Sequence, residues 1–451
     1  MRKTFSFILF SLFLIACDQH DDTPASIAEE PINHPGWIMQ GNIYEVNVRQ
    51  YTPEGTFSAF AKHLDRLKAM GVQTLWFMPL SPIGKKDRKG TMGSYYAVAD
   101  YTSINPEFGT MEEWKDLVKT IHEKGMKVLI DWVPNHTAAD HVWITTHPDF
   151  YVKDNVGNPA VPFDWTDTRQ LDYSNETMQD SMIASMKYWV TETAIDGYRV
   201  DVAWNVRQQF WLRCIAQLKQ LNSNMFFLAE GDKSYLMKSG FDAFYPWDMY
   251  HKMVAVAAGD RPARSLDSVK AIYDTAYPKQ AIPLYFTSNH DENSWGKSDY
   301  ETFPGPVHAP FAVFTQTMAG SVPLIYSGQE EPVLHKIEFF EKDPMNFELL
   351  QREKFYKTLL DLRKSNAALA ADADYKKIKV GDDNAIFSFI REKGNDKILV
   401  ILNLSSKEQT ISVKEKDLQG KPYNVFMGNN EPLTDAEWKI EPWGYVIYEY
   451  K

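Results

Sequence analysis

The sequence predicts an α/β chain, a (β/α)8 barrel followed by a small antiparallel β-sandwich domain. Three observations carry this. Between about residues 41 and 370, strand-like and helix-like segments alternate, with eight of the former. Such alternation argues for a parallel sheet closed by its own crossovers. Some strands are near-continuous apolar runs, VQTLWFMPL (72–80) being the clearest, as expected where both faces are covered. After Leu369 the pattern becomes short strands split by GDDN, EKGND and SSKE turns. No helix is evident there, and 371–451 reads as the sandwich.

NIYEVNVRQ (42–50) reads as the first strand. FSAFAKHLDRLKAMG (57–71) has helical periodicity and stops at Gly71. MEEWKDLVKTIHEKG (111–125) is a helix, with Thr110 as cap and Glu113 placed for a capping box. MKVLIDWVP (126–134) is the third strand. Residues 137 to about 173 then interrupt the alternation with Asp, Pro and aromatics in no clear period. A stretch of this length is unusual inside a compact domain and often functional; it reads as an excursion from the barrel. Helices follow at 176–194, 206–222, 264–276, 307–319 and 347–365. Strands fall within 196–204, at 225–230, near 242–245, at 282–288 and at 322–326.

The N-terminus reads as an export signal over residues 1–16. Arg2 and Lys3 supply the positive end, and Phe5 to Ile15 is a short apolar region. That region is too short for a transmembrane helix. LIAC, Leu14 to Cys17, resembles the lipobox of bacterial lipoproteins. This implies lipidation of Cys17, a membrane partner through that anchor, and a cell-envelope location at the outer membrane or surface. The polar, acidic stretch 17–40 reads as a tether. The other cysteine, Cys214, lies within a predicted helix and reads as a small buried hydrophobe. The net charge of −12 excludes a nucleic-acid partner on electrostatic grounds. Most of the 13 Trp and 23 Tyr are expected in the core, with some free to stack on sugars.

DGYRVDVAW (196–204) alternates Tyr198, Val200 and Val202 with Arg199, Asp201 and Ala203. Two opposite charges on one face of an interior strand either pair structurally or serve a reaction. Taken alone, the structural pair is the better reading. Three other strands also end in polar groups: DWVPNH (131–136), FFLAEGD (226–232) and YFTSNHDEN (285–293). In a barrel of this class those ends surround one mouth. Asp201, Glu230 and Asp291 therefore gather there. A carboxylate pair flanking a bond is what glycoside hydrolysis needs, one to attack or activate water and one to protonate the leaving oxygen.

In this order and on these strands, DWVPNH, DGYRVDVAW, FLAEG and FTSNHDEN resemble the four signature regions of the α-amylase family of glycoside hydrolases. GSYYAVADYTSINPEFGT (93–110) and PLIYSGQE (323–330) resemble further family segments. The resemblance covers about 41–451 and implies a domain B at 137–173. It implies Asp201 as nucleophile, Glu230 as general acid and base, and Asp291 as transition-state stabiliser. It further implies that Arg199 orients Asp201, that His136 and His290 bind sugar hydroxyls, and that Tyr96 rather than Tyr95 stacks on the sugar. It places a structural calcium (Ca2+) at Asn135, with further oxygens from the Asp-rich stretch 164–172; an Asn pinning the loop without metal is the alternative. Trp204 departs from the family, where a Lys and a His commonly follow the nucleophile and contact sugar. That leaves the reducing-side subsite and product pattern open.

The expected activity is exported, retaining hydrolysis of α-1,4-glucosidic bonds in starch or maltooligosaccharides. The same carboxylates also serve transglycosylases, α-glucosidases, phosphorylases and isomerases. A catalytically silent glycan-binding lipoprotein would be expected to lack a carboxylate, and all three are present. A starch-binding module at 370–451 would need paired exposed Trp, and only Trp438 and Trp443 occur there.

Overall fold

In the computed structural model, residues 33–331 and 333–450 are described. The export signal, Cys17 and most of the tether lie outside them. Eight parallel strands close into a barrel in sequential order. They are β1 Ile43–Val46, β2 Thr74–Phe77, β3 Lys127–Trp132, β4 Gly197–Val200, β5 Phe226–Ala229, β6 Ala243–Phe244, β7 Ile282–Tyr285 and β8 Val322–Tyr326. β8 pairs with β1 through Ile43 opposite Leu324, which completes the ring. All the barrel strands but β3 are fully buried, and β3 only begins half-buried, so helices outside and packed side chains inside account for their apolar runs.

Local chemistry explains the boundaries. Gly71 ends its helix at φ 107°, a conformation that favours glycine. Thr110 and Glu113 form the reciprocal capping box. Gly197 is required for close approach, since a Cβ there would lie 2.0 Å from the Phe226 carbonyl oxygen on β5. Trp76, Trp114, Trp189 and Trp211 are fully buried, so these indoles are core. Cys214 is buried as well.

Several boundaries differ from the sequence reading. The first strand stops at Val46, and Val48–Tyr51 turns into a helix. The segment 57–71 is two helices, Phe57–Ala61 and Leu64–Met70. The last barrel helix begins at Glu353 rather than near 347. Helices Ser234–Lys238, Trp247–Ala257 and His290–Trp295 follow β5, β6 and β7, where none was expected. Residues 34–40, expected as the end of the tether, are packed instead. Ile38 is buried, Trp37 meets Phe226 edge to face at 5.8 Å, and His34 lies 2.9 Å from Asp242. The burial of these groups outweighs the polar, Pro-rich character that made the segment read as a linker.

The excursion after β3 is a two-stranded ribbon, His136–Ala138 with Thr168–Gln170, plus a short helix Val142–Thr146. At the C-terminal end a six-stranded antiparallel sheet faces a two-stranded one, Gln409–Ile411 with Trp438–Ile440. Lys416–Leu418 adds one 3-10 turn. Alternation along Ile386–Lys393 sends Ile386 and Ile390 into the sandwich core, and Phe387 and Phe389 toward the barrel. Phe387 meets Phe314 of a barrel helix at 5.4 Å, and buried Arg391 donates to the carbonyls of Thr317 and Ala370 at 3.0 and 2.7 Å. Trp438 packs on the sandwich core and Trp443 packs against the main one, so they form no exposed pair.

Candidate active site

The sequence brings charge to the C-terminal mouth of the barrel in a defined way. The Asp201 N–H donates to the Trp132 carbonyl at 2.8 Å, and the Glu230 N–H to that of Val200 at 2.9 Å. The parallel ladder thus extends to both carboxylate positions and fixes their backbones. β4 ends abruptly because Val202 takes a left-handed conformation, φ 46°, rare for a β-branched residue. That turn points the Val202 N–H at Glu230 Oε2, 2.8 Å away.

Arg199 is the hub. Its Nη1 lies 3.2 Å from Asp201 Oδ1, and its Nη2 lies 3.0 Å from Glu230 Oε2. Nη1 also reaches Asp131 Oδ1 and Oδ2 at 3.0 and 3.2 Å. The guanidinium is fully buried and ringed by the faces of Trp76, Tyr96 and Tyr245 at 5.2–5.8 Å. Burial opposes its charge, but Asp131, Glu230 and the nearby tyrosine hydroxyls outweigh this and hold it firmly protonated. Asp201 is pushed well up by burial and by Glu230, with Arg199 pulling the other way.

Asp291 lies in the first turn of the helix after β7, and its Oδ2 lies 3.3 Å from His290 Nε2. Nε2 also meets the Tyr96 hydroxyl at 2.7 Å, and Nδ1 meets Glu45 Oε1 at 2.5 Å. Burial alone would depress His290, but Asp291 and Glu45 outweigh it and push it up to about 9. His136 has no such partner, and burial drives it down to about 3, so it is a neutral imidazole. Tyr96, the choice over Tyr95, donates its hydroxyl to Asp131 Oδ2 at 3.1 Å. Tyr95 is instead buried beneath Arg49, 4.1 Å from ring centre to guanidinium.

Asp201, Glu230, Asp291, Tyr96 and His136 all line one open cavity of about 550 Å³. Arg199 and His290 support it from below. Four aromatic side chains also line it: Trp165, and Trp295, Phe339 and Phe340, which pack on one another. Sequence reasoning missed Asp131, Glu45 and these aromatics. A signal existed for Glu45, a lone charge inside the apolar strand NIYEV, the same signal that singled out Arg199.

Asn135 does not fit the expected calcium site. Its Oδ1 accepts from Gln170 Nε2 at 3.0 Å and from Asn205 Nδ2 at 2.9 Å. Its backbone carbonyl accepts from Leu171 N–H and again from Gln170. Asp167 instead faces Lys89 at 3.5 Å, and Asp172 accepts from Ser174. Calcium needs six to eight oxygens, several of them carboxylate; here amide donors take the acceptor positions. Among the described residues, no group of three or more His, Cys, Asp or Glu could hold a metal ion. Asn135 thus pins the ribbon to the barrel by hydrogen bonds.

Residues 33–170 match the alpha amylase catalytic domain, and residues 386–446 match the Alpha-amylase SusG C-terminal domain. "Alpha-amylase MalA" from Haloarcula japonica is 26% identical over 436 residues, 91% of this chain and 63% of that protein. A Bacillus "Cyclomaltodextrinase" is 25% identical, with 84% of this chain and 75% of that protein covered. The crystal structure of a noncanonic maltogenic alpha-amylase, AmyB from Thermotoga neapolitana, superposes with TM-score 0.83 and 28% identity over 92% of this chain and 99% of that one. That of an alpha-amylase from Lactobacillus plantarum gives 0.82 and 26% over 92% and 100%. With its eight-stranded barrel, its antiparallel C-terminal sheet and three carboxylates at one mouth, this chain is similar to the α-amylase family of glycoside hydrolases, over residues 33–170 to its catalytic domain and over 386–446 to its SusG C-terminal domain.

Proposed function

We propose that the protein is a retaining hydrolase of α-1,4-glucosidic bonds in starch or maltooligosaccharides, acting by double displacement. The observation that carries this is Arg199 touching Asp201 and Glu230 with one guanidinium. Carboxyls held that close suit attack by a side chain rather than by an interposed water.

Double displacement calls for Asp201 as carboxylate and Glu230 as the proton donor. Arg199, 3.2 Å from Asp201 Oδ1, opposes the burial that pushes Asp201 up and aims it at the sugar. Asp201 attacks the anomeric carbon as Glu230 protonates the departing oxygen. Water next attacks the glycosyl ester, gives its proton to Glu230, and releases Asp201. Asp291, tied to His290, offers negative charge and hydrogen-bond acceptors where the sugar becomes oxocarbenium-like. Tyr96 supplies a ring face for that sugar, and the neutral His136 offers a hydrogen bond to its hydroxyls.

The test is product analysis on soluble starch and short maltooligosaccharides, following the anomer formed, with Asp201→Asn as control. α-Anomeric products, lost in the variant, support the reading. Inverted products overturn it. Products longer than the starting sugar would move the reading to a transglycosylase, and glucose alone from chain ends to an α-glucosidase.

The N-terminal motif supports an exported form anchored through Cys17 in the bacterial envelope. Cys17→Ser should move the protein from the membrane fraction to the soluble one. No redistribution would sink the anchor.

A further inference from the structure

We infer that Glu45 is a positioning residue for this reaction, holding the His290 ring by Nδ1 so that Nε2–H faces Asp291 and the sugar, and balancing its charge so that Asp291 keeps its own; this rests on the glycosidase reading above. In NIYEV the side chains alternate. Tyr44 donates its hydroxyl to Glu330 at 2.7 Å, while Glu45 reaches the other way, to His290. The backbone of Glu45 is clamped from both sides, opposite Trp76 on β2 and Tyr326 on β8.

The Glu45 carboxylate is fully buried. Oε1 lies 2.5 Å from His290 Nδ1, and Oε2 has no partner. A buried carboxylate kept for stability alone is expected to use both oxygens, because an unpaired one costs free energy. Glu45 spends its burial on a single bond, and that bond goes to a ring at the mouth.

The ring is locked in plane. It stacks on Tyr96 at 5.5 Å and meets Trp76 edge to face at 5.9 Å. With Nδ1 committed to Glu45, Nε2 faces the Tyr96 hydroxyl at 2.7 Å and Asp291 Oδ2 at 3.3 Å. A proton on Nε2 lets the donors run one way, from His290 to Tyr96 and from Tyr96 to Asp131 Oδ2 at 3.1 Å. Without it Nε2 would turn a lone pair on Asp291, and Tyr96 could not serve both His290 and Asp131.

Charge follows the same geometry. Burial opposes the imidazolium, Asp291 and Glu45 favour it, and Arg199 from β4 opposes it; Asp131 from β3 faces it too. The comparably buried His136, with no carboxylate partner, stays neutral. An imidazolium paired with Asp291 alone would cancel that carboxylate where the sugar turns positive. One cation between two carboxylates leaves negative charge facing the sugar, in place before the reaction begins.

The test follows kcat/KM against pH for α-maltosyl fluoride, whose leaving group needs no proton from Glu230. Wild type should hold its rate up to about pH 9, and Glu45→Gln should move that alkaline limb toward 6.5. At neutral pH the variant should lose about tenfold to a hundredfold, the span for removing a residue that orients a ligating histidine. Glu45→Asp, which keeps the charge, should return the limb toward its wild-type place, and His290→Asn should abolish it. A Glu45→Gln profile lowered evenly with its limb in place means that Glu45 only supports the fold, and overturns the proposal. So does a limb that survives in His290→Asn. Histidine-selective 15N NMR of the wild type decides even if Glu45→Gln does not fold. The His290 signals, identified by their absence from His290→Asn, should show both nitrogens protonated at neutral pH, and a neutral ring overturns the proposal. Absence of turnover of both α-maltosyl fluoride and maltooligosaccharides by the wild type overturns the glycosidase reading, and the role of Glu45 with it.

Discussion

Asp131 on β3 and Arg199 on β4 stand opposite one another in the parallel register, and one Arg199 nitrogen reaches both oxygens of Asp131, at 3.0 and 3.2 Å. Neither side chain is exposed. Burial raises the Asp131 carboxyl to about 6 even with the guanidinium beside it. The pair forms the floor on which Asp201 and Glu230 rest. Removing one member of a buried pair leaves the other uncompensated, so Asp131→Ala should lose about 3–5 kcal/mol of stability. Urea unfolding followed by circular dichroism measures it. A loss below about 1 kcal/mol, typical of a surface pair, would show that Asp201 and Glu230 suffice to hold Arg199.

Glu230→Gln removes the proton that the leaving oxygen needs, yet keeps the hydrogen-bonding shape beside Val202. Steady-state rates on maltooligosaccharides should fall by about 10²–10⁴, the usual span for general-acid catalysis. α-Maltosyl fluoride, which needs no proton to depart, should fall far less. An equal fall on both substrates would assign Glu230 another role.

His290 ties pH to stability. Its folded value of about 9 lies above the ordinary 6.5. A group raised in this way contributes stability that is fully present below 6.5 and is lost as pH rises through about 9. Glu45→Gln removes one of the two carboxylates responsible. The gap in unfolding free energy between wild type and variant should be widest at mildly acid pH and close as the medium becomes alkaline. Denaturant midpoints across that range report it, and a constant gap would mean that His290 does not titrate against Glu45.

The amide cluster around Asn135 predicts indifference to calcium. Melting temperature should be the same with excess chelator and with millimolar calcium. An ion at a hundredfold excess over its Kd would add about 2.7 kcal/mol and raise the melting temperature visibly. Such a rise would restore the calcium expectation and require Gln170 and Asn205 to turn their carbonyl oxygens inward.

The sequence by itself determined the barrel, because periodicity and apolar runs report burial strand by strand. It also placed Asp201, Glu230 and Asp291, since a charge at the end of a buried strand is too costly to keep unless it pairs or reacts. Tyr96, which the family resemblance implied over Tyr95, lines the cavity. Contacts between distant segments were not. Asp131 and Glu45 act through partners 68 and 245 residues away, and no local pattern encodes such a pairing. Helices Ser234–Lys238 and His290–Trp295 are too short for their period to emerge. Asn135 shows the limit most plainly. Its type and motif suggested a metal ligand, but only closure of the ribbon on β4 brought the Gln170 and Asn205 amides onto its oxygen. A side chain's chemistry is a property of the residue; the partner that uses its lone pairs is decided by tertiary packing.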